Sequence, residues 1–214
     1  GRPYEITSLR RDVETDGRRA VVAFTEEWAE DAERRDFRLN AIYAAANGRL
    51  HEMVPNSVQD AIDGRVIFIG DADQRLREDY LRILRFFRFN AWYGAGMDAD
   101  GLAACERQKD GLAKIASERI WKELKRLMEA PDPSEAMLAM EETGVLEAVL
   151  PGASASELPS LVSVEQGASL TPDPLQRLMA MMPRRARDVA AVTSHLRLSN
   201  AEAQRLTGWA DPAL

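Results

Sequence analysis

The most constraining feature of this 214-residue chain is a change of pattern near Gly70. Before it, short β-branched runs alternate with turn residues. After it, long Ala/Leu/Arg/Glu stretches dominate, and these residue types favour helix. A chain with this order predicts an α+β class, with a small mixed part followed by a helical one. Hydrophobic residues make up 45% and charged residues 29%, which is ordinary globular composition, rich enough to bury a core. Aromatics are only 7%, so that core must be mainly aliphatic.

In the first part, residues 4–10 (YEITSLR) alternate as a strand does, and 21–24 (VVAF) read as a second one. Thr25 followed by Glu26 and Glu27 predicts a capped helix start, running to about Arg34. Asn47-Gly48 lies between the runs 41–45 and 49–54. That pair predicts a hairpin with a type I′ turn, which needs positive φ at both centre positions. Val66–Ile69 reads as one more strand.

After Gly70, Asp71 can cap a helix, and a long amphipathic segment covers about 74–93. Further helices are expected at about 99–110, 117–129, 133–142, 144–149, 156–163, 173–182, 185–195 and 199–210. Ser117 and Ser199 are expected to cap two of them. Residues 152–172 are richer in Ser, Ala, Gly and Pro and read as a looser connection.

The net charge of -7 argues against nucleic acid if taken as a whole. Its distribution says otherwise. Residues 74–89 (QRLREDYLRILRFFRF) hold Arg75, Arg77, Arg82, Arg85 and Arg88, opposed only by Glu78 and Asp79. On one continuous helix Asp79, Arg82 and Arg85 form a polar ridge, while Arg88 drifts off that face. Leu81, Leu84, Phe87 and Ala91 pack on the other side.

A carboxylate accepts from an exocyclic amine, and a guanidinium donates in a planar fork to ring nitrogens and carbonyls. Asp79 with Arg82 can therefore read the edge of cytosine or adenine, which share an amine beside an acceptor nitrogen. The plainer reading is a solvated charged face with internal ion pairs. A second cluster, Arg34-Arg35-Asp36-Phe37 with Asn40, suits a phosphate and a sugar hydroxyl; its plainer reading is a complement to a helix C-terminus.

Together the two clusters match a known pattern. RRDFRLNA (34–41), then a hairpin, then FIGDADQRLREDYLRILRFFRFNA (68–91) resembles the signature of class II tRNA nucleotidyltransferases and bacterial poly(A) polymerases. EITSLR (5–10) resembles that family's E-x-T-T-x-R strand, and SERIWKELKRLM (117–128) its S-x-E-R-I-x-x-E-L helix. The resemblance covers about residues 3–150. It implies part of a nucleotidyltransferase head of the DNA polymerase β type with a mixed sheet, followed by an all-helical neck and body. The expected divisions are 1–70 (head), 71–150 (neck, nucleotide selection and RNA binding) and 151–214 (body and tail).

The resemblance also implies addition of CMP and AMP to an RNA 3′ end without a nucleic-acid template, with CTP and ATP as substrates. Asp79 and Arg82 would pair with the base, and Arg85, Arg88 and Arg35 would contact the nucleotide. Asp36 and Asn40 would hold the sugar or a loop, and Glu5 would lie near the metal site.

In the family, a Gly-Gly loop and an Asp-x-Asp pair holding two Mg2+ ions precede these motifs; nothing before Glu5 supplies them. Asp71-Ala72-Asp73 has the letters but stands at the helix start, where it reads as a cap. The chain opens Gly1-Arg2-Pro3 without methionine, as it would if a processed tag residue led it or if it were an excised piece, and by itself it is expected not to catalyse transfer. Arg38 stands where the family has Thr, Asn56-Ser57 where Gly-Gly is usual, and Ile67 where Arg is usual.

The expected partners are tRNA or another RNA 3′ end and nucleoside triphosphates. No stretch approaches the ~18–20 apolar residues that span a bilayer, so no membrane partner is expected. One thiol, Cys105, suits a reducing compartment, and the cytoplasm is the expected location. Only His51 and His195 are present, and neither precedes Asp, which excludes a His-Asp metal phosphohydrolase. Polyadenylation and a non-catalytic RNA-binding helical module are the rival readings, the latter using Arg184, Arg185 and Arg187. CCA addition is favoured because no basic run closes the chain.

Overall fold

The computed structural model describes residues 7–15 and 20–211. Two strands, β1 (Arg10–Thr15) and β2 (Ala20–Phe24), pair antiparallel with Arg10 opposite Phe24. Of the strand expected over 4–10, residues 4–6 lie outside the described part, 7–9 are irregular, and only Arg10 is in β1. The ladder pairs from Arg10 opposite Phe24 onward, and just past it the Thr25 amide donates to Leu9 O at 3.1 Å.

Helix α1 (Trp28–Glu33) starts later than Thr25. The Thr25 hydroxyl instead accepts from the Glu27 amide and donates to Glu30. A 3-10 turn (Arg38–Asn40) leads into the hairpin of β3 (Ile42–Ala44) and β4 (Leu50–Glu52). The hairpin is as expected but its turn is not type I′. Only Gly48 has positive φ (83°), and its amide bonds Ala45 O at 2.8 Å. That is a three-residue loop with Gly in the left-handed position.

Residues 66–69 form no strand; a single antiparallel bridge joins Phe37 and Phe68. Helix α2 (Ser57–Ile62) was not expected from sequence. Its start is held from a distance: Glu52 accepts from the Val58 amide (3.0 Å) and the Ser57 hydroxyl (3.3 Å). Asn56 takes the left-handed conformation at φ 65° that a glycine would adopt freely.

The remaining elements are helical, as expected. They are α3 (Ala72–Glu78), α4 (Leu81–Tyr93), α5 (Ala99–Gln108), a 3-10 segment (Lys109–Lys114) and α6 (Ser117–Met128). Then follow α7 (Ser134–Glu142), α8 (Val145–Val149), α9 (Leu158–Gly167), α10 (Pro174–Met181), α11 (Ala186–Leu196) and α12 (Asn200–Ala210). Asp71 caps α3 through the Gln74 amide at 2.7 Å, and Ser199 forms a capping box with Glu202 on α12. Ser117 does not cap α6; Ala116 stands at that position and offers no side-chain acceptor.

The long helix expected over 74–93 is broken. Asp79 leaves the helical region (φ -152°, ψ 105°), and Asp79 Oδ1 accepts the Leu81 amide to start α4. Tyr80 packs flat against Gly111, where a Cβ would come within 2.1 Å of its ring. Only glycine admits this approach.

One continuous core runs from Phe37, Val66 and Phe68 through the faces of α3, α4 and α6 to Leu206 on α12. Phe37, Phe68, Phe86 and Phe89 pack with ring centres 4.9–5.5 Å apart along it, so the aromatic minority joins the mixed part to α4. Among the described residues no helix is long and apolar enough to cross a membrane.

Candidate nucleotide-reading site

Packing orients α4. Leu81, Ile83, Leu84, Phe86 and Phe87 are buried, so Arg82, Arg85 and Arg88 share the remaining face. Acids from three other segments alternate with them. Arg82 Nε donates to Asp36 Oδ1 at 3.0 Å, and Arg82 Nη1 donates to Glu78 Oε2 at 2.5 Å and to Arg75 O at 2.7 Å. The last bond satisfies a carbonyl freed where α3 ends. Arg85 holds the other oxygen of Asp36 and lies 3.9 Å from Glu123. Arg88 Nε donates to Glu123 Oε2 at 2.7 Å. Arg85 and Arg88 both lie over the Phe89 ring, at 5.6 and 4.6 Å from its centre.

The result is a ladder, Glu78–Arg82–Asp36–Arg85–Glu123–Arg88. It is largely desolvated: the Arg82 and Arg88 side chains keep 11% and 13% of their exposure, and Glu123 keeps 7%. Ion pairs this shielded hold geometry well, and removing one partner strands the other charge. None of the Arg82 bonds uses Nη2, which leaves that nitrogen of the fork for a further acceptor.

The ridge expected on one helix is corrected in one respect. Asp79 sits in the break, not on the α4 face with Arg82 and Arg85. Its Oδ2 accepts from Arg119 Nη2 on α6 at 2.8 Å, and a third of its side chain faces solvent. Asp79 and Arg82 remain one turn apart, since the Arg82 amide donates to Asp79 O at 3.0 Å. Arg88, which drifts off the ridge, rejoins it through Glu123.

Arg35 and Asn40 belong to a second cluster. Arg35 turns to α1 and β3, bonding Asp31 Oδ2 at 2.8 Å, the Tyr43 hydroxyl at 3.2 Å and Asn40 O at 3.0 Å. Asn40 Oδ1 accepts the Phe37 amide and holds the 3-10 turn. Asp31 is the hub, also accepting from Arg34, the Tyr43 hydroxyl and the Arg10 amide. Burial pushes its carboxyl up. The Tyr43, Arg10 and Arg35 hydrogen bonds and the charge of Arg35 outweigh that and hold it at about 2. Burial and the Asp31 bond push the Tyr43 hydroxyl up to about 12. Arg75 links the clusters by donating to Arg35 O at 2.6 Å. Glu5 lies outside the described residues.

Sequence reasoning missed Asp31, Glu123 and Arg119 as members of these clusters. Spacing carried a signal for each: Asp31 is four residues before Arg35, and Arg119 and Glu123 are four apart on α6. Among the described residues no group of three or more His, Cys, Asp or Glu side chains could hold a metal ion, so they do not fit a Mg2+ site.

A small α+β part leading through a broken arginine-rich segment into a helical body fits a nucleotidyltransferase head followed by a helical region. The family described as the poly A polymerase head domain matches residues 1–67, and the probable RNA and SrmB-binding site of polymerase A matches 96–156. The CCA tRNA nucleotidyltransferase 1, mitochondrial, of Mus musculus is 37% identical over 207 residues, covering 93% of this chain and 46% of that protein. The CCA-adding enzyme of Geobacillus kaustophilus is 35% identical over 158 residues, covering 72% and 38%. The Bacillus stearothermophilus CCA-adding enzyme in complex with CTP superposes with a TM-score of 0.66 at 25% identity, covering 100% of this chain and 49% of that one. The chain belongs to the class II family of CCA-adding enzymes and poly(A) polymerases. It spans less than half the length of these curated relatives.

Proposed function

We propose that this chain is the nucleotide-selecting part of an enzyme that adds CMP and AMP to tRNA 3′ ends without a nucleic-acid template. The observation that carries this reading is the pairing of a part-exposed carboxylate, Asp79, with an arginine one turn on, Arg82, at the mouth of a braced arginine ladder. Asp79 accepts the exocyclic amine of cytosine or adenine, and Arg82 donates to the neighbouring ring acceptor. Uracil and guanine turn a carbonyl oxygen toward the carboxylate and are disfavoured because two acceptors then face each other without a proton between them.

Arg85 and Arg88 hold the nucleotide beyond its base, and Asp36 sets the angle of Arg82 and Arg85 together. Arg35 and Asn40 serve the sugar and phosphate side, with Asp31 orienting Arg35. Glu5 is proposed as a carboxylate near the metals. The family's transfer chemistry uses Mg2+ to activate the attacking hydroxyl and stabilise the leaving pyrophosphate. The described residues form no such cluster, so their proposed roles are base selection and nucleotide holding.

We further propose the three-part division at about residues 70 and 150, RNA contact by the helices after α4, and a reducing compartment such as the cytoplasm. Three relatives' names, in human, mouse and zebrafish, carry the word mitochondrial. Polyadenylation is the second reading, favoured by the two family matches, both of which are described for poly(A) polymerase. The deciding experiment gives the full-length protein a tRNA lacking its 3′ end, with CTP and ATP supplied separately and together. Addition of C and then A supports the proposal. Unlimited extension with ATP alone replaces it with polyadenylation.

A further inference from the structure

We infer that Arg119 is a positioning residue for base selection, acting through Asp79; this rests on the base-reading role proposed for Asp79 and Arg82. Each carboxylate oxygen of Asp79 has one fixed donor. Oδ1 accepts the Leu81 amide at 3.0 Å and Oδ2 accepts Arg119 Nη2 at 2.8 Å. The first donor belongs to α4 and the second to α6, so the carboxylate is held between two helices. A carboxylate has about four lone-pair sites. Two are used internally, and the others can take an amine.

The rotation of α6 is set by its buried face, Ile120, Trp121, Leu124, Leu127 and Met128. Arg119 is therefore delivered to Asp79 by core packing, not by a loop. One turn further along α6, Glu123 braces Arg88 and lies near Arg85. A single helix thus fixes the acceptor of the base-reading pair with a cation and the arginine ladder with an anion. Arg119 itself is half-exposed and outside the core, so removing it opens no cavity.

Arg119 acts on selection through this bond, which stops the carboxylate from turning its plane to suit another base. A surface ion pair with only a stabilising role would not do so.

The test is equilibrium binding of CTP, ATP, UTP and GTP to the full-length protein and to its Arg119→Ala, Arg119→Lys and Asp79→Asn variants. Loss of one charge-assisted bond predicts about tenfold weaker CTP and ATP binding in Arg119→Ala. UTP and GTP, which gain nothing from the bond, should be nearly unchanged, so discrimination narrows. Arg119→Lys should restore part of it. If Asp79→Asn loses discrimination while Arg119→Ala keeps it, Arg119 has no such role. Equal weakening of all four nucleotides in Arg119→Ala also overturns the inference. If Asp79→Asn itself keeps full discrimination, the base-reading assignment fails, and the role of Arg119 fails with it.

Discussion

Two arginine systems in this molecule look alike on paper and differ in kind. In the body, Arg177 is fully buried. It donates to Met128 O, Ala130 O and Pro131 O at the end of α6, and pairs with Glu165 of α9 at 2.6 Å. In the ladder, Arg82, Arg85 and Arg88 are gripped chiefly by carboxylates and keep an edge to solvent. Arg177 gives two bonds to Glu165 and three to backbone carbonyls at and just past the end of α6, so it is a staple between helices. The ladder's carboxylates hold arginines whose forks are not fully used, which suits the proposed addition of a nucleotide to the network. Full burial and the larger share of backbone acceptors, more than the number of charges, separate the staple from the ladder.

The largest expected effect breaks the comparison at its structural end. Arg177→Ala removes the basic partner of buried Glu165 and one donor from each of three carbonyls. Severing a buried pair of this kind costs about 3–5 kcal/mol. Chemical unfolding should show that loss directly. Below the new midpoint, CTP and ATP should bind as before. Impaired nucleotide binding in the folded variant would mean that the two systems are not separate.

Arg82→Ala reverses the pattern. CTP and ATP binding should both fall about a hundredfold, because at least one charged hydrogen bond and the orientation of Asp36 are lost. The stability loss should be smaller than for Arg177→Ala, since Asp36 keeps Arg85 and faces a partly open edge. RNA affinity that survives with nucleotide binding lost supports the proposed split of roles. Unchanged nucleotide binding would return the chain to a non-catalytic RNA-binding module.

The same distinction explains what was legible in the sequence. The helical half was readable because its apolar spacing and local caps, such as Asp71 and Ser199, act over three or four residues. The break at Asp79 was not, because it depends on Tyr80 meeting Gly111 across more than thirty residues of chain. Helix α2 was hidden for a similar reason, with its start held by Glu52 from the preceding strand. In the site, the motifs drew attention to Arg82, Arg85 and Asp36, which the structure does join. The motifs placed Arg35 and Asp79 beside these residues without their actual partners, Asp31 and Arg119, because side-chain direction is set by packing.

A third ion-pair system lies between the staple and the ladder, and it gives the smallest expected effect. Glu202 of α12 accepts from Lys125 at 2.9 Å and from the Trp121 indole at 3.3 Å, and also closes the Ser199 cap. Burial pushes its carboxyl up, but the Lys125 and Ser199 bonds and the Lys125 charge prevail and hold it at about 2, below its ordinary 4.5. A group depressed on folding contributes stability that is complete above its unfolded value and is lost as pH falls toward its folded one. The hold of α12 on α6 should therefore be intact above about pH 4.5 and weaken progressively toward pH 2. Asp31, held at about 2 by its own donors, should loosen the second cluster over a similar window. Trp121 separates the two, because its indole bonds Glu202 directly. Its fluorescence should shift across this window in the native chain, and the shift should be much reduced in Glu202→Gln. An undiminished shift in that variant would assign the acid transition to Asp31 or to the ladder, and would make α12 a passive neighbour of the site's supporting helix.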